Sequence, residues 1–144
     1  MATQNIVSNT GTVLTVTTDT SQTFVWAKET LTANYTNGGG SPVTLVEGTL
    51  LGRISATGLL VPLASAASDG SQFAVGILLG SYTVAAGATQ LLTYVIAGDV
   101  VEHKVVLAGA DTLDTVISGR RIRDKIMGET KGIRLVPTTE MTAL

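Results

Sequence analysis

Residues 43–79 read VTLVEGTLLGRISATGLLVPLASAASDGSQFAVGILL, and this stretch decides the fold. Short apolar runs alternate in it with turn signals made of Gly, Asp and Ser. The pattern predicts four strands, over residues 43–46, 50–55, 59–63 and 73–79. Pro62 has no backbone N–H to donate, which predicts an edge position or a strand end for the third of them. Strands at this close spacing are typical of a small barrel or sandwich.

The same pattern of short strands continues downstream. Two more strands are predicted over residues 90–96 and 100–107, and Gly98-Asp99 is expected to separate them. A last strand is predicted over residues 132–136. The region after the central stretch therefore adds strands to the same β domain.

A single helix is predicted, over residues 111–127. Asp111 is suited to cap its N-terminus, and apolar residues recur at helical spacing after it. Gly128 is a suitable stop signal. We expect one short C-terminal helix in an otherwise β protein.

The region before residue 43 differs from the rest of the chain. It is rich in Thr with period-two alternation, which predicts strands over residues 12–17 and 23–27. The sequence GGGSP at positions 38–42 is the most flexible in the chain and predicts a hinge or linker. We therefore expect an N-terminal arm or hairpin with a Gly-rich hinge over residues 1–42, and a β domain over residues 43–144.

The composition predicts a mainly β protein and excludes several kinds of site. Thr and Val, which are both β-branched, crowd the chain, and charged residues make up only 14% of it. Because there is no Cys, a disulfide framework and a thiol nucleophile are excluded. A single His excludes a multi-histidine metal site. No cofactor and no metal are expected.

Charge and hydropathy argue against two classes of partner. The net charge is −2 and the isoelectric point is about 5.2, so no overall positive field attracts nucleic acid. The longest apolar runs are far shorter than the roughly 20 residues that cross a bilayer. The first twenty residues hold no Lys or Arg and no apolar core, so no secretory signal is expected.

His103 is the residue that most suggests catalysis. It lies in Glu102-His103-Lys104 near Asp99, and a carboxylate beside a histidine is one part of a hydrolase triad. However, the chain has no Gly-x-Ser-x-Gly elbow, and alternation makes His103 an ordinary polar strand position. We do not expect an enzyme. A small β-barrel ligand-binding domain or enzyme that uses His103 is the alternative.

The N-terminal arm contains the candidate partner contacts. An extended arm can add a strand to the sheet edge of a neighbour, where main-chain hydrogen bonds supply affinity and side chains set register. The candidate contact residues of the arm are Ile6, Val7, Val13, Leu14 and Val16.

Two aromatic residues of the arm, Phe24 and Trp26, are candidate anchors. They are two positions apart, so they share one face of a regular strand. They either pack on the protein's own core or anchor the arm to a partner.

Basic residues cluster near the C-terminus and form a candidate polar contact patch. One interpretation is a surface for an anion or an acidic partner. The other is a solvated helix face whose cations lie favourably near the helix C-terminus. The candidate patch residues are Arg120, Arg121, Arg123 and Lys125.

Three elements of the central stretch carry a resemblance to a known family. They are the spaced glycines Gly48, Gly52 and Gly58, the turn DGSQ at positions 69–72, and the strand AVGIL at positions 74–78. With these elements at this spacing, residues 44–108 resemble the head decoration proteins of tailed bacteriophages, the group typified by the capsid-stabilising protein of phage lambda.

The resemblance implies a small β-clip or tulip-like barrel and a structural role. Proteins of this kind bind the outer surface of the expanded phage head as homotrimers, and they clamp the major capsid protein against the pressure of packaged DNA. The segment before the match is longer and more strand-prone than a short arm, and the C-terminal helix with its arginines also departs from the pattern. A tail, fibre or baseplate module with a similar β domain is the alternative within this class.

Overall fold

The computed structural model describes residues 2–7, 13–18 and 22–137. The described residues form twelve strands, a 3-10 turn over Glu102–Lys104 and one helix, α1 (Ile122–Glu129), so the predicted mainly β class is confirmed. The strands are β1 (Ala2–Val7), β2 (Val13–Thr18), β3 (Phe24–Thr36), β4 (Val43–Leu45), β5 (Leu50–Arg53), β6 (Leu60–Pro62), β7 (Gly76–Leu78), β8 (Tyr82–Val84), β9 (Thr89–Val101), β10 (Val116–Ile117), β11 (Arg120–Arg121) and β12 (Gly132–Val136).

A six-stranded sheet forms the centre of the protein. Its order is β12-β9-β7-β5-β6, and β3 also pairs with β9. β12 runs parallel to β9, and the other pairs are antiparallel. Strands β1 and β2, β4 and β8, and β10 and β11 form three two-stranded sheets.

The predicted closed barrel is not present, because the sheet ends at β6. This strand has only three residues and ends at Pro62, which has no N–H for a further ladder. The edge position predicted from Pro62 is confirmed, since β6 pairs with β5 and lies last in the sheet order.

Each face of the central sheet carries its own apolar core. Neighbouring residues of one strand point to opposite faces, so Leu51 and Leu78 enter one core while Leu50 and Ile77 enter the other. The first core is covered by β4 and β8, and the second by α1 and the loops around it. Burial of each such Leu or Ile contributes roughly 1.5–3 kcal/mol to stability. The sheet is therefore fixed from both sides.

Strand β9 is longer than predicted and crosses the expected turn at Gly98-Asp99 without interruption. Gly98 has a φ of 145°, and a Cβ at this position would overlap the carbonyl oxygen of Trp26. The glycine therefore lets β3 approach β9 closely at a register shift, instead of ending the strand. The prediction of two separate strands was wrong at this point.

The predicted helix over residues 111–127 is also wrong in its first half. Ser118 and Gly119 both have positive φ and join β10 to β11 as a tight hairpin, with Ile117 opposite Arg120. β-Branched residues lead into this turn, and they favour strand over helix. The helix consequently begins at Ile122, and its N-cap position is Arg121 instead of Asp111.

The Gly-rich segment at 38–42 is organised by the buried residue Asn37. The Asn37 side-chain amide donates to the carbonyl oxygens of Ser41 and Val84, and its Oδ1 accepts from the amide of Gly39. The Asn37 backbone also pairs with the turn at Gly87 and Ala88. This loop connects β3 to β4, and both strands belong to the body of the protein.

Candidate functional site

The N-terminal arm residues lie in one two-stranded antiparallel sheet. Ile6 is the cross-strand partner of Leu14, and Val7 is the partner of Val13. Val16 lies opposite Gln4 in the same ladder. Within the described residues, β1 and β2 pair with each other and with no strand of the body. The five candidate contacts are therefore brought together on a unit that shares no ladder with the central sheet.

The two aromatic candidates have different environments. Phe24 is partly buried and packs against the core beneath α1. Trp26 is 55% exposed, and Lys28 Nζ lies 5.7 Å from the centroid of its ring. The register shifts between them, because Phe24 pairs with Val100 while Trp26 pairs with Asp99. This irregularity breaks the two-residue alternation on which the expectation of a shared face depended.

The basic cluster does not lie at a helix C-terminus. Arg120 and Arg121 precede α1 in β11, and Arg123 and Lys125 lie in its first half. The interpretation as cations placed near the C-terminal end of the helix dipole is therefore wrong. The reason is the late start of the helix after the β10–β11 hairpin.

Arg123 ties α1 to two other parts of the chain. Its Nη1 donates to Glu102 Oε1 at 2.9 Å, and its Nε donates to Asp114 Oδ1 at 3.1 Å. The hydrogen bonds to Glu102 and then to Asp114 raise the pKa of Arg123 above its ordinary value. Arg123 is thus a structural tie, which joins the 3-10 turn, the β10 region and the helix.

Lys125 is buried and points into the protein. Its Nζ lies 2.6 Å from Glu129 Oε1 and 5.0 Å from the centre of the Phe73 ring. The other oxygen of Glu129 accepts from the backbone amide of Ala74 at 2.7 Å. One carboxylate therefore fastens α1 to the loop at 71–75 and balances the buried ammonium. Lys125 is not available to a partner.

Arg120 and Arg121 are the exposed members of the cluster. Arg121 Nη1 lies 3.8 Å from Asp114 Oδ1, and both side chains are more than half exposed. Arg120 donates to the carbonyl oxygen of Asp124. The structure therefore divides the four candidates into two structural residues and two surface residues.

His103 lies in the 3-10 turn after β9 and is exposed. The strand predicted for it is wrong, because β9 ends at Val101. A shallow depression of about 280 Å³ lies elsewhere, lined by residues around Leu63 and Ala108. The described residues contain no cluster of three or more His, Cys, Asp or Glu that could hold a metal ion. Within the same residues, no helix has the length and hydropathy needed to cross a bilayer.

One comparison with known proteins identifies the family. The model of the family described as bacteriophage lambda head decoration protein D matches residues 27–116, which is more than half of the chain. The chain belongs to this family. No curated protein matches it. A head decoration protein is a structural component of the virion and lies on the outer surface of the capsid.

The family match covers the body of this head decoration protein and omits both ends. It begins within β3 and stops at Val116 in β10. The arm strands β1 and β2, the helix α1 and strand β12 all lie outside it. The family therefore assigns the capsid role to the chain without assigning a contact to any residue of these ends.

Sequence reasoning missed the two contacts of Glu129, with the ammonium of Lys125 and with the backbone amide of Ala74. Lys and Glu four positions apart are a recognisable helix pair, although the expected helix ended before Glu129. The contact with the amide of Ala74 joins residues 55 positions apart and has no local signal in the sequence.

Proposed function

We propose that this head decoration protein cements the expanded capsid. In this proposal it binds the outside of the shell as a homotrimer at local three-fold positions, contacts the major capsid protein and stabilises the head against the pressure of packaged DNA. The observation that supports the proposal most directly is the family match over the body of the chain.

The N-terminal region, residues 1–42, supplies the capsid contact in this proposal. Strands β1 and β2 serve as the arm, while β3 attaches the arm to the body through its long ladder with β9. Among the described strands, β1 and β2 have no ladder partner in the body, and such a strand can exchange its present partner for a sheet edge of the capsid protein. Main-chain hydrogen bonds would then supply affinity. The separate arm sheet supports this assignment.

Trimerisation strengthens capsid binding by such an arm, although it adds no new kind of contact. Three arms on one trimer reach neighbouring capsid subunits, so each binding event raises the effective concentration for the next by mass action. A gain of about 10²–10⁴ over a single arm is typical when the geometry permits simultaneous contacts. A cyclic trimer also matches the symmetry of a local three-fold position.

Add-back to bare, expanded heads of the parent phage tests the proposal. Full-length protein and a variant lacking residues 1–20 are co-sedimented with the heads, and bound copies are counted. We expect saturable binding of full-length protein in multiples of three per site, loss of binding on truncation, and greater resistance of decorated heads to rupture. His103→Ala is the control and should bind like the wild type. Absence of binding by the full-length protein would refute the cementing role.

A further inference from the structure

One face of the ladder between β3 and β9 points away from the first core. Residues 30–36 pair with residues 95–89 in continuous register, so directly opposite residues share a face and successive pairs alternate between the two faces. The pair Ala33 and Leu92 faces the first core. The pairs on either side of it therefore face the other way. These residues are Thr32, Asn34, Thr36, Thr89, Leu91 and Thr93, and we call them the Leu91 face.

The Leu91 face continues the side of the sheet that carries the second core. Ile77 lies in that core and pairs with Val95, so Val95 is on the same side, and it is fully buried. Two positions before Val95, Thr93 is half-buried, and four positions before it, Leu91 is 56% exposed. The cover that buries Val95 therefore ends before Leu91.

Hydrogen bonds hold the Leu91 face in place. The hydroxyl oxygens of Thr36 and Thr89 lie 2.7 Å apart across the ladder, and the amide of Asn37 donates to the carbonyl oxygen of Ala88 at 2.9 Å. The ladder itself has no register shift from residue 30 to residue 36. A surface that is already ordered loses little conformational entropy when it binds.

No charged side chain belongs to the Leu91 face or to the sequence on either side of it. The chain has no Asp, Glu, Lys or Arg over residues 30–46 and none over residues 70–98. A single exposed leucine is ordinary on a protein surface. A leucine surrounded by uncharged polar groups is different, because depletion of charged residues distinguishes the centre of an interface from the rest of the surface. The Leu91 face therefore has the composition of an interface.

The chemistry of the Leu91 face fits a second copy of the chain. Each threonine hydroxyl and the Asn34 amide can both donate and accept hydrogen bonds, so an identical face can satisfy them. A carboxylate or an ammonium group on such a face would instead meet its own charge in the second copy. A contact here also keeps the charged residues of two copies, each with a net charge of −2, outside the interface.

We propose that the Leu91 face is the contact between copies in the homotrimer. The Leu91 side chains of three copies meet around the three-fold axis, and the hydroxyl and amide groups of the face form hydrogen bonds between neighbours around them. In a cyclic trimer each copy is rotated onto the next, so a residue near the axis approaches its two equivalents. The inference rests on the proposed function, names the surface that joins the copies and leaves the arm free for the capsid.

Disulfide trapping tests this contact directly. The chain has no cysteine, so Leu91→Cys introduces a single thiol. A disulfide forms only where two Cα atoms approach to about 4.4–6.8 Å, so oxidation of this variant on expanded heads should give covalent dimers of the chain. Dimers are expected because one thiol joins only one other, which leaves the third copy unlinked. Met127→Cys, at an exposed position of α1, is the matched control and should give no covalent dimer.

Leu91→Lys tests what the contact contributes to head binding. Three ammonium groups around one axis repel each other, so the trimer should not form. Loss of the trimer removes the gain from linked arms, and affinity for bare expanded heads should fall about 10²-fold or more. Met127→Lys makes the same change on α1 and should bind like the wild type. Because Leu91 is exposed, the variant should fold, and an unchanged circular dichroism spectrum would show that it does.

The outcomes separate this inference from the cementing role. If the wild type binds heads but Leu91→Cys gives no dimer and Leu91→Lys binds equally well, the inference is overturned and the cementing role stands. If Leu91→Lys loses head binding while Leu91→Cys binds heads without forming dimers, the face contacts the capsid protein, which also overturns the inference. If the wild type does not bind heads, oxidation of Leu91→Cys is repeated in concentrated solution. Dimers in that solution would support the contact between copies although the cementing role fails, and their absence would overturn both.

Discussion

The two ends of this chain are attached to the body in opposite ways. In the described residues, β1 and β2 pair with each other alone, whereas α1 and β12 are held by a parallel ladder to β9, by buried isoleucines and by two ion-pair networks. A segment that shares no ladder with the body can change its pairing partner, whereas burial in a core fixes the position of a segment. The comparison separates an end suited to exchange from an end suited to present a fixed surface.

The largest expected effect is at the C-terminal end, from Glu129→Ala. This change leaves Lys125 buried without its carboxylate and removes the acceptor of the Ala74 amide. Removal of one partner from a buried ion pair costs about 3–5 kcal/mol of unfolding free energy. Urea unfolding measures the loss. Lys125→Met combined with Glu129→Gln should recover most of it, and a loss below about 1 kcal/mol for Glu129→Ala would contradict the buried-pair description.

A smaller effect is expected from Arg123→Ala, which removes the tie to Glu102 and Asp114. Because the Arg123 side chain is 29% exposed, water weakens these pairs, and the expected loss is about 1 kcal/mol. Chemical unfolding at low and high salt measures it. Lys131→Ala is the control, since its pair with Glu29 is exposed on both sides. An equal loss in the two variants would show that the Arg123 network adds nothing beyond a surface pair.

A still smaller effect, seen as a change in how stability depends on acid pH, is expected at Asp69 in the body. Hydrogen bonds from the Ser71 hydroxyl and then from the Ser71 amide lower the pKa of Asp69 below its ordinary 3.8. A lowered folded-state pKa adds stability above 3.8, and this contribution disappears as the pH falls through the folded-state pKa. Asp69→Asn and Ser71→Ala should therefore both flatten the loss of stability in acid, as followed by unfolding at stepped pH. An unchanged acid slope in Asp69→Asn would exclude this carboxylate as a source of the pH dependence.

The smallest effect on stability is expected from removal of residues 1–20. These residues share no ladder with the body among the described strands, so the thermal unfolding midpoint of the body should stay the same. Circular dichroism during heating measures this midpoint. A fall in this midpoint as large as the one caused by Glu129→Ala would show that both ends of the chain stabilise the body, which would contradict the difference between them.

Most strands could be predicted from the sequence, because each is a short apolar run between turn residues. The predicted strands over 43–46, 50–55, 59–63 and 132–136 all correspond to observed strands. The prediction failed at two glycines, because a glycine can serve more than one structural role. Gly98 was expected to form a turn but allows two strands to approach closely. Gly119 lies inside the range of the predicted helix but forms a hairpin turn.

The candidate site was less predictable, since its contacts depend on distant partners. Spacing placed Phe24 and Trp26 on one face, but a register shift against β9 separated them. The basic residues were found from their clustering in the sequence. The structure shows that Lys125 is buried against Glu129 and that Arg123 is bound by Glu102 and Asp114, and neither contact is visible in that clustering.

The sequence by itself determined the β class, the edge position of Pro62, the family resemblance and the positions of most strands. The signals behind these predictions are the alternation of apolar and polar residues, the turn residues and the backbone N–H that proline lacks. Each of them acts over a few neighbouring residues. Only the tertiary structure decided which residues of the basic cluster stay exposed. It also decided how the two ends of the chain are attached. Those outcomes depend on burial and on carboxylates brought from far along the chain, and no local pattern records them.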